Sequence, residues 1–589
     1  MTRDAAVLTW HDGRFLKNGE PHRILAGSMH SFRVHPAQWR DRLQRLADLG
    51  LNTVDTYVAW NMHQPRRDEA PSFDGWCDLP RFVETAGEVG LDVIVRPGPY
   101  ICAEWDNGGL PVWLTAGHPA LRTSDPRFLD PVARWFDELL PRLAPLQASA
   151  GGPIVAFQVE NEFGSFGDDP AFVPAMRDLM TARGIVELTY TADGPTELMV
   201  DAGTIDGSVM ALNLGSRIAE ARAFQQERRP GEPFLVGEFW NGWFDHWEHP
   251  HHVRDAEGVA EVLGEIVADG GSVSIYMAHG GTNFGTWAGA NRVDGELRPT
   301  VTSYDSDAPI AEDGRLTAKF HTYREVLGAT APIVSPEPRF VEPRTIPVTR
   351  GSALLPALDT IAGEARTLWN RATFEELGHA GALLRAEADV LLPNRPVPLV
   401  IEDAGDRVLV FLDGAHVGTI RESGSLELAG DGARHRLTLV TERLGRVNYG
   451  HRLGEPKGLV APVTIERRMI QRWDVSPLPV EEDVAAALRD LPADASGLAG
   501  VAHARFDLEE ALDAHLALPG FGKGFVWVNG FLLGRHWEVG PQVTLYVPAP
   551  LLRAGENEIV VLDLERRGAA IELRDEPELG PREQFIEEF

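Results

Sequence analysis

Three glutamates stand where short apolar runs give way to polar, aromatic-rich segments. The run 154–160 opens into Gln158-Val159-Glu160-Asn161-Glu162-Phe163-Gly164. The run 234–239 carries Val236-Gly237-Glu238-Phe239-Trp240, and 91–97 leads through Arg96-Pro97-Gly98-Pro99 to Cys102-Ala103-Glu104-Trp105. Two carboxyl groups flanking one bond can cleave a glycoside: one protonates the departing oxygen, the other attacks the anomeric carbon. A separation of roughly 5–5.5 Å gives a covalent intermediate and retention of configuration. The acid needs a raised pKa, which an apolar site or a neighbouring negative charge supplies. Asn161 in such an arrangement can hydrogen-bond a sugar 2-hydroxyl. A lone glutamate at a strand end is more often an ion-pair partner. Three at three strand ends, two of them in aromatic settings, weaken that bland reading. Glu160 falls in step with Glu162 by alternation and reads as a packed or salt-bridged residue one layer deeper.

These side chains need a scaffold that gathers strand ends. Eight apolar, β-branched runs are visible, at 24–30, 53–60, 91–97, 154–160, 186–192, 209–214, 234–239 and 272–278. Helical patterns separate them, for example 36–49, 79–89, 126–143 and 256–268. Pro36 suits a first helical turn, and Trp39, Leu43, Leu46 and Leu49 form a stripe at helical spacing. The alternation predicts a (β/α)8 TIM barrel, whose usual length is roughly 250 residues and whose active site lies at the C-terminal strand ends. Strands four and seven face each other across such a mouth, so Glu162 and Glu238 can approach one sugar from two sides.

Past residue 330 the texture changes to prolines, alternating segments and turn signals, as in β-sandwiches. Val410-Phe411-Leu412-Asp413-Gly414 is echoed by Val526-Trp527-Val528-Asn529-Gly530, each a strand ending in a hairpin turn. Each is followed by a glycine turn, at Gly432 or Gly555, and a further apolar run. The expected domains are a barrel over 1–330 and two related β-sandwiches of jelly-roll type, the first over 331–480 and the second over 481–589.

The 589 residues carry a formal charge of −32. That field repels nucleic acid and anionic membranes and suits a neutral substrate. No apolar stretch approaches bilayer-spanning length, and the first residues do not read as a secretory signal. With only Cys77 and Cys102 there is no disulfide framework, so a cytoplasmic location is expected. His246, His249, His251 and His252 invite a metal reading, but they lack a ligand framework and read as a solvated loop. No metal and no cofactor are expected, and a homo-oligomer stays open.

The chain resembles glycoside hydrolase family 35 over almost its whole length. The resemblance is carried by Tyr57 in Thr56-Tyr57-Val58-Ala59-Trp60-Asn61, by the segment 96–113, and by 158–164 and 238–247. Gly280-Gly281-Thr282-Asn283-Phe284-Gly285 and the segment 302–309 extend it. It implies a β-galactosidase with Glu162 as general acid/base and Glu238 as nucleophile. It implies galactose contacts from Tyr57, Ala103, Glu104 and Asn161, a pocket lined by Tyr276 and Tyr304, and galactose-binding-like C-terminal sandwiches. Trp240 and Trp243 are similar to the outer-subsite residues of bacterial members that prefer β-1,3-linked galactose; the plain alternative is that they pack the rim. Tyr449 either reaches that subsite or is a corner residue of the first sandwich. Two positions depart from the common pattern: many members read Tyr-Asp-Tyr-Asp-Ala-Pro where this chain has Tyr304-Asp305-Ser306-Asp307-Ala308-Pro309, and some carry tyrosine where Trp240 stands.

The expected activity is therefore that of a retaining exo-β-galactosidase acting on β-galactoside oligosaccharides. Ser306 and Trp240 keep open a barrel glycosidase for another β-linked sugar. A non-hydrolytic carbohydrate-binding protein would need neither Glu162 nor Glu238.

Overall fold

A computed structural model describes residues 6–115, 120–268, 270–494 and 497–585. Eight strands close into one parallel barrel: β1 (Leu25–Ser28), β2 (Thr53–Tyr57), β3 (Asp92–Arg96), β4 (Ile154–Gln158), β5 (Leu188–Asp193), β6 (Val209–Leu214), β7 (Leu235–Trp240) and β8 (Ser272–Tyr276). Each lies within, or within one residue of, an apolar run read from the sequence. Parallel neighbours need crossovers. These are α1 (Trp39–Leu49), α2 (Leu79–Val89), α3 (Pro126–Leu143), α4 (Phe172–Ala182), α5 (Glu197–Gly203), α6 (Ile218–Arg228) and α7 (Ala256–Ala268), with α8 (Ala318–Val326) after the last strand.

Local chemistry sets their limits. Pro36 begins a short 3-10 turn rather than the helix itself, and α1 starts at Trp39. Gly50 and Gly90 end α1 and α2 in the left-handed conformation that spares glycine a steric penalty. Asp125 caps α3 by accepting from the Arg127 N–H, with Pro126 behind it where a missing N–H costs nothing. Small residues on the strands, including Ala26, Ala156, Ala192 and Ala211, belong to the barrel's inner cluster.

The two sandwiches repeat one device. Arg407–Leu412 pairs with Ala415–Arg421 through Asp413-Gly414, and Lys523–Val528 pairs with Phe531–Trp537 through Asn529-Gly530. Both turn residues in each hairpin have positive φ, as a tight two-residue turn requires. Each hairpin slips register at the equivalent place, after Val410 and after Val526, and packs on a nine-residue strand, Arg434–Glu442 or Gly555–Asp563.

The contiguous division at 331–480 and 481–589 does not survive strand pairing. Arg344–Pro347 pairs with Ala570–Arg574, and Thr349–Ala353 with Gly500–Leu508, so residues 344–353 belong to the last sandwich. The sheet spanning Arg366–Trp369 to Arg472–Leu478 is therefore inserted into it. Pairing between strands some 150 residues or more apart leaves no trace in local periodicity.

The inserted sandwich is fastened to the barrel by buried charge. Asp106 takes Arg443 at 2.7 Å and Arg446 at 3.2 Å, with all three side chains nearly inaccessible. Breaking such a pair by removing one partner costs about 3–5 kcal/mol, because a buried charge is left uncompensated. Its consequence is positional: residues 448 and 449 are delivered to the barrel mouth.

Candidate active site

Glu238 lies on β7 at a break in register: pairing with both β6 and β8 shifts after Val236. A bulge of this kind re-aims the side chain that follows. Gly237 makes it possible, since a Cβ there would lie 2.9 Å from Asn213 Oδ1. Three donors converge on the Glu238 carboxylate. Arg96 pairs with Oε1 at 2.7 Å, the Tyr57 hydroxyl donates to Oε1 at 2.7 Å, and Trp240 Nε1–H donates to Oε2 at 3.0 Å.

Glu162 follows β4 in the left-handed region, φ 47° and ψ 41°, a conformation a glutamate adopts only when its surroundings insist. Its N–H donates to the Ala192 carbonyl at 3.1 Å, and its Oε1 accepts from Asn213 Nδ2 at 2.9 Å. Burial, then the negative charge of Glu238, pushes its carboxyl up to about 7. The two glutamates thus differ in kind: one is gripped by a cation and two neutral donors, the other holds its proton to near neutrality.

Between them, Asn161 accepts through Oδ1 from Gln158 at 3.0 Å, and the same oxygen lies 2.7 Å from the Tyr57 hydroxyl, whose single proton it shares with Glu238 as alternative acceptors. Among the described residues nothing accepts from its Nδ2. A buried amide donor without a partner is costly unless a ligand supplies one, and a sugar hydroxyl would. Glu160, as expected, is turned away into a bidentate pair with Arg122 at 2.8 and 2.9 Å.

The third strand end is strained. Cys102, Ala103 and Glu104 occupy the left-handed region in succession, φ 54°, 53° and 48°. Each such residue costs about 1–2 kcal/mol, and the turn is held because Arg33 donates to the Ala103 carbonyl and Gly289 N–H to the Glu104 carbonyl. Glu104 accepts from the Tyr304 hydroxyl, which lies 3.3 Å from that of Tyr276. Burial raises the Glu104 carboxyl to about 7 despite those partners. All ten predicted site residues, Tyr57, Ala103, Glu104, Asn161, Glu162, Glu238, Trp240, Trp243, Tyr276 and Tyr304, line one cavity of about 530 Å³.

Comparison with known proteins gives this geometry a family. Residues 14–330 match Glycosyl hydrolases family 35. The chain belongs to that family. Residues 372–479 match the first all-beta domain of β-galactosidase and 501–557 its galactose-binding domain. The chain is 37% identical to the β-galactosidase of Felis catus over 94% of its own length and 87% of the relative's. It is 36% identical to those of Xanthomonas manihotis, covering 91% and 90%, and of Homo sapiens, covering 96% and 88%. A glycoside hydrolase is what the chain is, and its cavity is where the carboxylates meet.

Several residues of this family-35 site were not singled out from sequence. Arg96 stacks its guanidinium 4.0 Å from the centre of the Tyr57 ring while pairing with Glu238. Asn213 holds Glu162; a polar residue interrupting Leu212-Asn213-Leu214 was the signal. Asn448, from the inserted sandwich, donates to Glu104 at 3.4 Å and accepts from Tyr100 at 2.6 Å. Tyr449 beside it does reach the cavity, and the residue is 40% exposed. Trp243 does not stand free: Phe585 stacks on it at 4.4 Å and 9°, and Phe244 at 4.9 Å and 25°.

The histidine loop also differs from expectation. His246 and His251 are buried rather than solvated. His246 contacts Asn291 Oδ1 at 3.0 Å, and burial lowers its pKa to about 4. His251 contacts Asp245 at 2.6 Å; burial works against its protonation, but the aspartate prevails and raises its pKa. These rings are structural, packed where the loop after β7 meets the sandwich.

Proposed function

We propose that this glycoside hydrolase is a retaining exo-β-galactosidase, removing terminal β-linked galactose from oligosaccharides or glycoconjugates, with a preference for β-1,3 linkages. The reading is carried by the unequal environments of Glu162 and Glu238 within one cavity. Glu238 attacks the anomeric carbon while the Glu162 proton passes to the glycosidic oxygen. The carbon–oxygen bond breaks, the aglycone leaves as an alcohol, and a galactosyl ester remains on Glu238. The Glu162 carboxylate then takes a proton from water, whose oxygen attacks the same carbon and releases Glu238. Asn161 Nδ2 donates to the 2-hydroxyl, a contact that strengthens in the transition state. Glu104, Tyr276 and Tyr304 serve the hydroxyls of the inner ring. The β-galactosidase relatives support galactose as the sugar. The aromatic outer wall supports a saccharide leaving group.

The first anomer formed from an aryl β-galactoside, followed by proton NMR, tests the stereochemistry. β-Galactose must appear before mutarotation; initial α-galactose would overturn the retaining mechanism. Product analysis on β-1,3, β-1,4 and β-1,6 galactosyl disaccharides tests the linkage.

A further inference from the structure

The barrel does not finish the outer wall of the cavity. After Ala570–Arg574, a strand of the last sandwich, the chain returns to the barrel mouth. There Arg582–Gln584 runs parallel to His251–Val253 in the loop after β7. His251 N–H donates to the Pro581 carbonyl and Phe585 N–H to the Val253 carbonyl, both at 2.8 Å. Asp245 steadies the receiving strand, contacting His251 Nδ1 at 2.6 Å and accepting the His252 N–H at 2.8 Å. Two three-residue strands are too little to persist alone, so this ribbon depends on the side chains it seats. The one it seats at the cavity is Phe585, stacked nearly parallel on Trp243 and lining the same space as Glu162 and Glu238.

We propose that Phe585 is a specificity-determining residue that completes the leaving-group subsite and, with Trp243, takes the apolar C–H face of the reducing-side sugar. The ring is partly exposed although it packs on an indole, which leaves aromatic surface toward the cavity. Trp243, on which both Phe585 and Phe244 stack, cannot offer the covered indole surface to a sugar, so the outer wall is a composite in which Phe585 supplies part of the contact surface. The inference rests on the galactosidase reading, and its test separates the two.

The probes are β-galactosyl fluoride, whose leaving group is one atom, and a β-1,3-linked galactosyl disaccharide, whose leaving group fills the outer site. Phe585→Ala is expected to raise KM for the disaccharide relative to the fluoride by about 2- to 10-fold, the range for an aromatic contact. Phe585→Trp, which keeps a flat ring, should restore most of that loss and Phe585→Leu less. An unchanged ratio in Phe585→Ala, or equal losses on both substrates, overturns the proposal by reducing Phe585 to a packing residue. Wild-type protein that turns over neither galactosyl substrate overturns the galactose reading itself, and this inference with it.

Discussion

The inner end of the cavity is walled largely by barrel strand ends, and its groups hold one another: Arg96, Tyr57 and Asn161 around Glu238, Asn213 on Glu162, Tyr304 on Glu104. The outer end draws on three parts of the chain: the loop after β7 with Trp243, the inserted sandwich with Tyr449, and the segment 581–585 with Phe585, while Trp240 at the end of β7 stands between the two, lining the cavity and donating to Glu238. Its surface is mostly aromatic carbon. The difference separates two tasks. Bond cleavage demands groups fixed on rigid elements to within fractions of an ångström, whereas accommodation of a leaving group tolerates loop-borne surface that varies without disturbing the chemistry. Substitutions at the inner end should therefore strike every substrate, and those at the outer end only substrates with a bulky leaving group.

The sharpest way to break that division is at Glu238. Glu238→Gln removes the attacking carboxylate while keeping its shape, and kcat should fall by roughly 10⁴- to 10⁶-fold, the scale seen when a nucleophile is lost. The loss should be the same for a disaccharide, an aryl galactoside and galactosyl fluoride. Steady-state rates on the three decide it; undiminished turnover of any one refutes the assignment.

Glu162 should divide the substrates by leaving-group chemistry rather than size. Glu162→Gln should cost about 10²- to 10⁴-fold on a sugar leaving group, which needs a proton, and far less in the bond-breaking step with an activated aryl group. The pH profile sharpens the test. The Glu162 carboxyl is pushed up to about 7, and an acid acts only while protonated, so kcat/KM should fall as pH rises through about 7. That limb should vanish in Glu162→Gln assayed on an activated substrate. If it persists, Glu104, also raised to about 7 by burial, is the titrating group.

The inner end was far more legible in the sequence than the outer. Strand and helix periods are local signals, so eight runs announced eight strands, and strand ends marked where Glu104, Glu162 and Glu238 would gather. The bulge at Gly237 and the role of Asn213 were hidden because each depends on a neighbouring strand, although Asn213 stood out as polar within an apolar run. Nothing local could reveal that Arg344–Pro347 and Thr349–Ala353 join the last sandwich, since their partners lie about 150 residues away or farther. The same limit concealed Phe585, whose segment reads as a short charged stretch until its pairing with His251–Val253 is seen. His246 and His251 misled in the opposite sense, because a polar-looking loop is buried when a second domain packs over it.

Tyr449 offers the smallest expected effect and the finest distinction. Its loop is tied to the barrel through Arg443, Arg446 and Asp106, although it belongs to another domain. Burial, then the charge of Glu162, pushes its hydroxyl up to about 12, with Ser165 as a hydrogen-bond neighbour that itself donates to the Glu162 carbonyl at 2.8 Å. The ring and the hydroxyl are thus separable contributions. Tyr449→Ala removes both and should raise KM for a disaccharide about 2- to 5-fold, within the range of one aromatic contact. Tyr449→Phe keeps the ring and should change it by less than about 2-fold. If Tyr449→Phe instead shifts the limb near pH 7 while leaving KM alone, the hydroxyl acts through Ser165 on Glu162. The inserted sandwich would then belong to the inner end of the cavity as well as the outer.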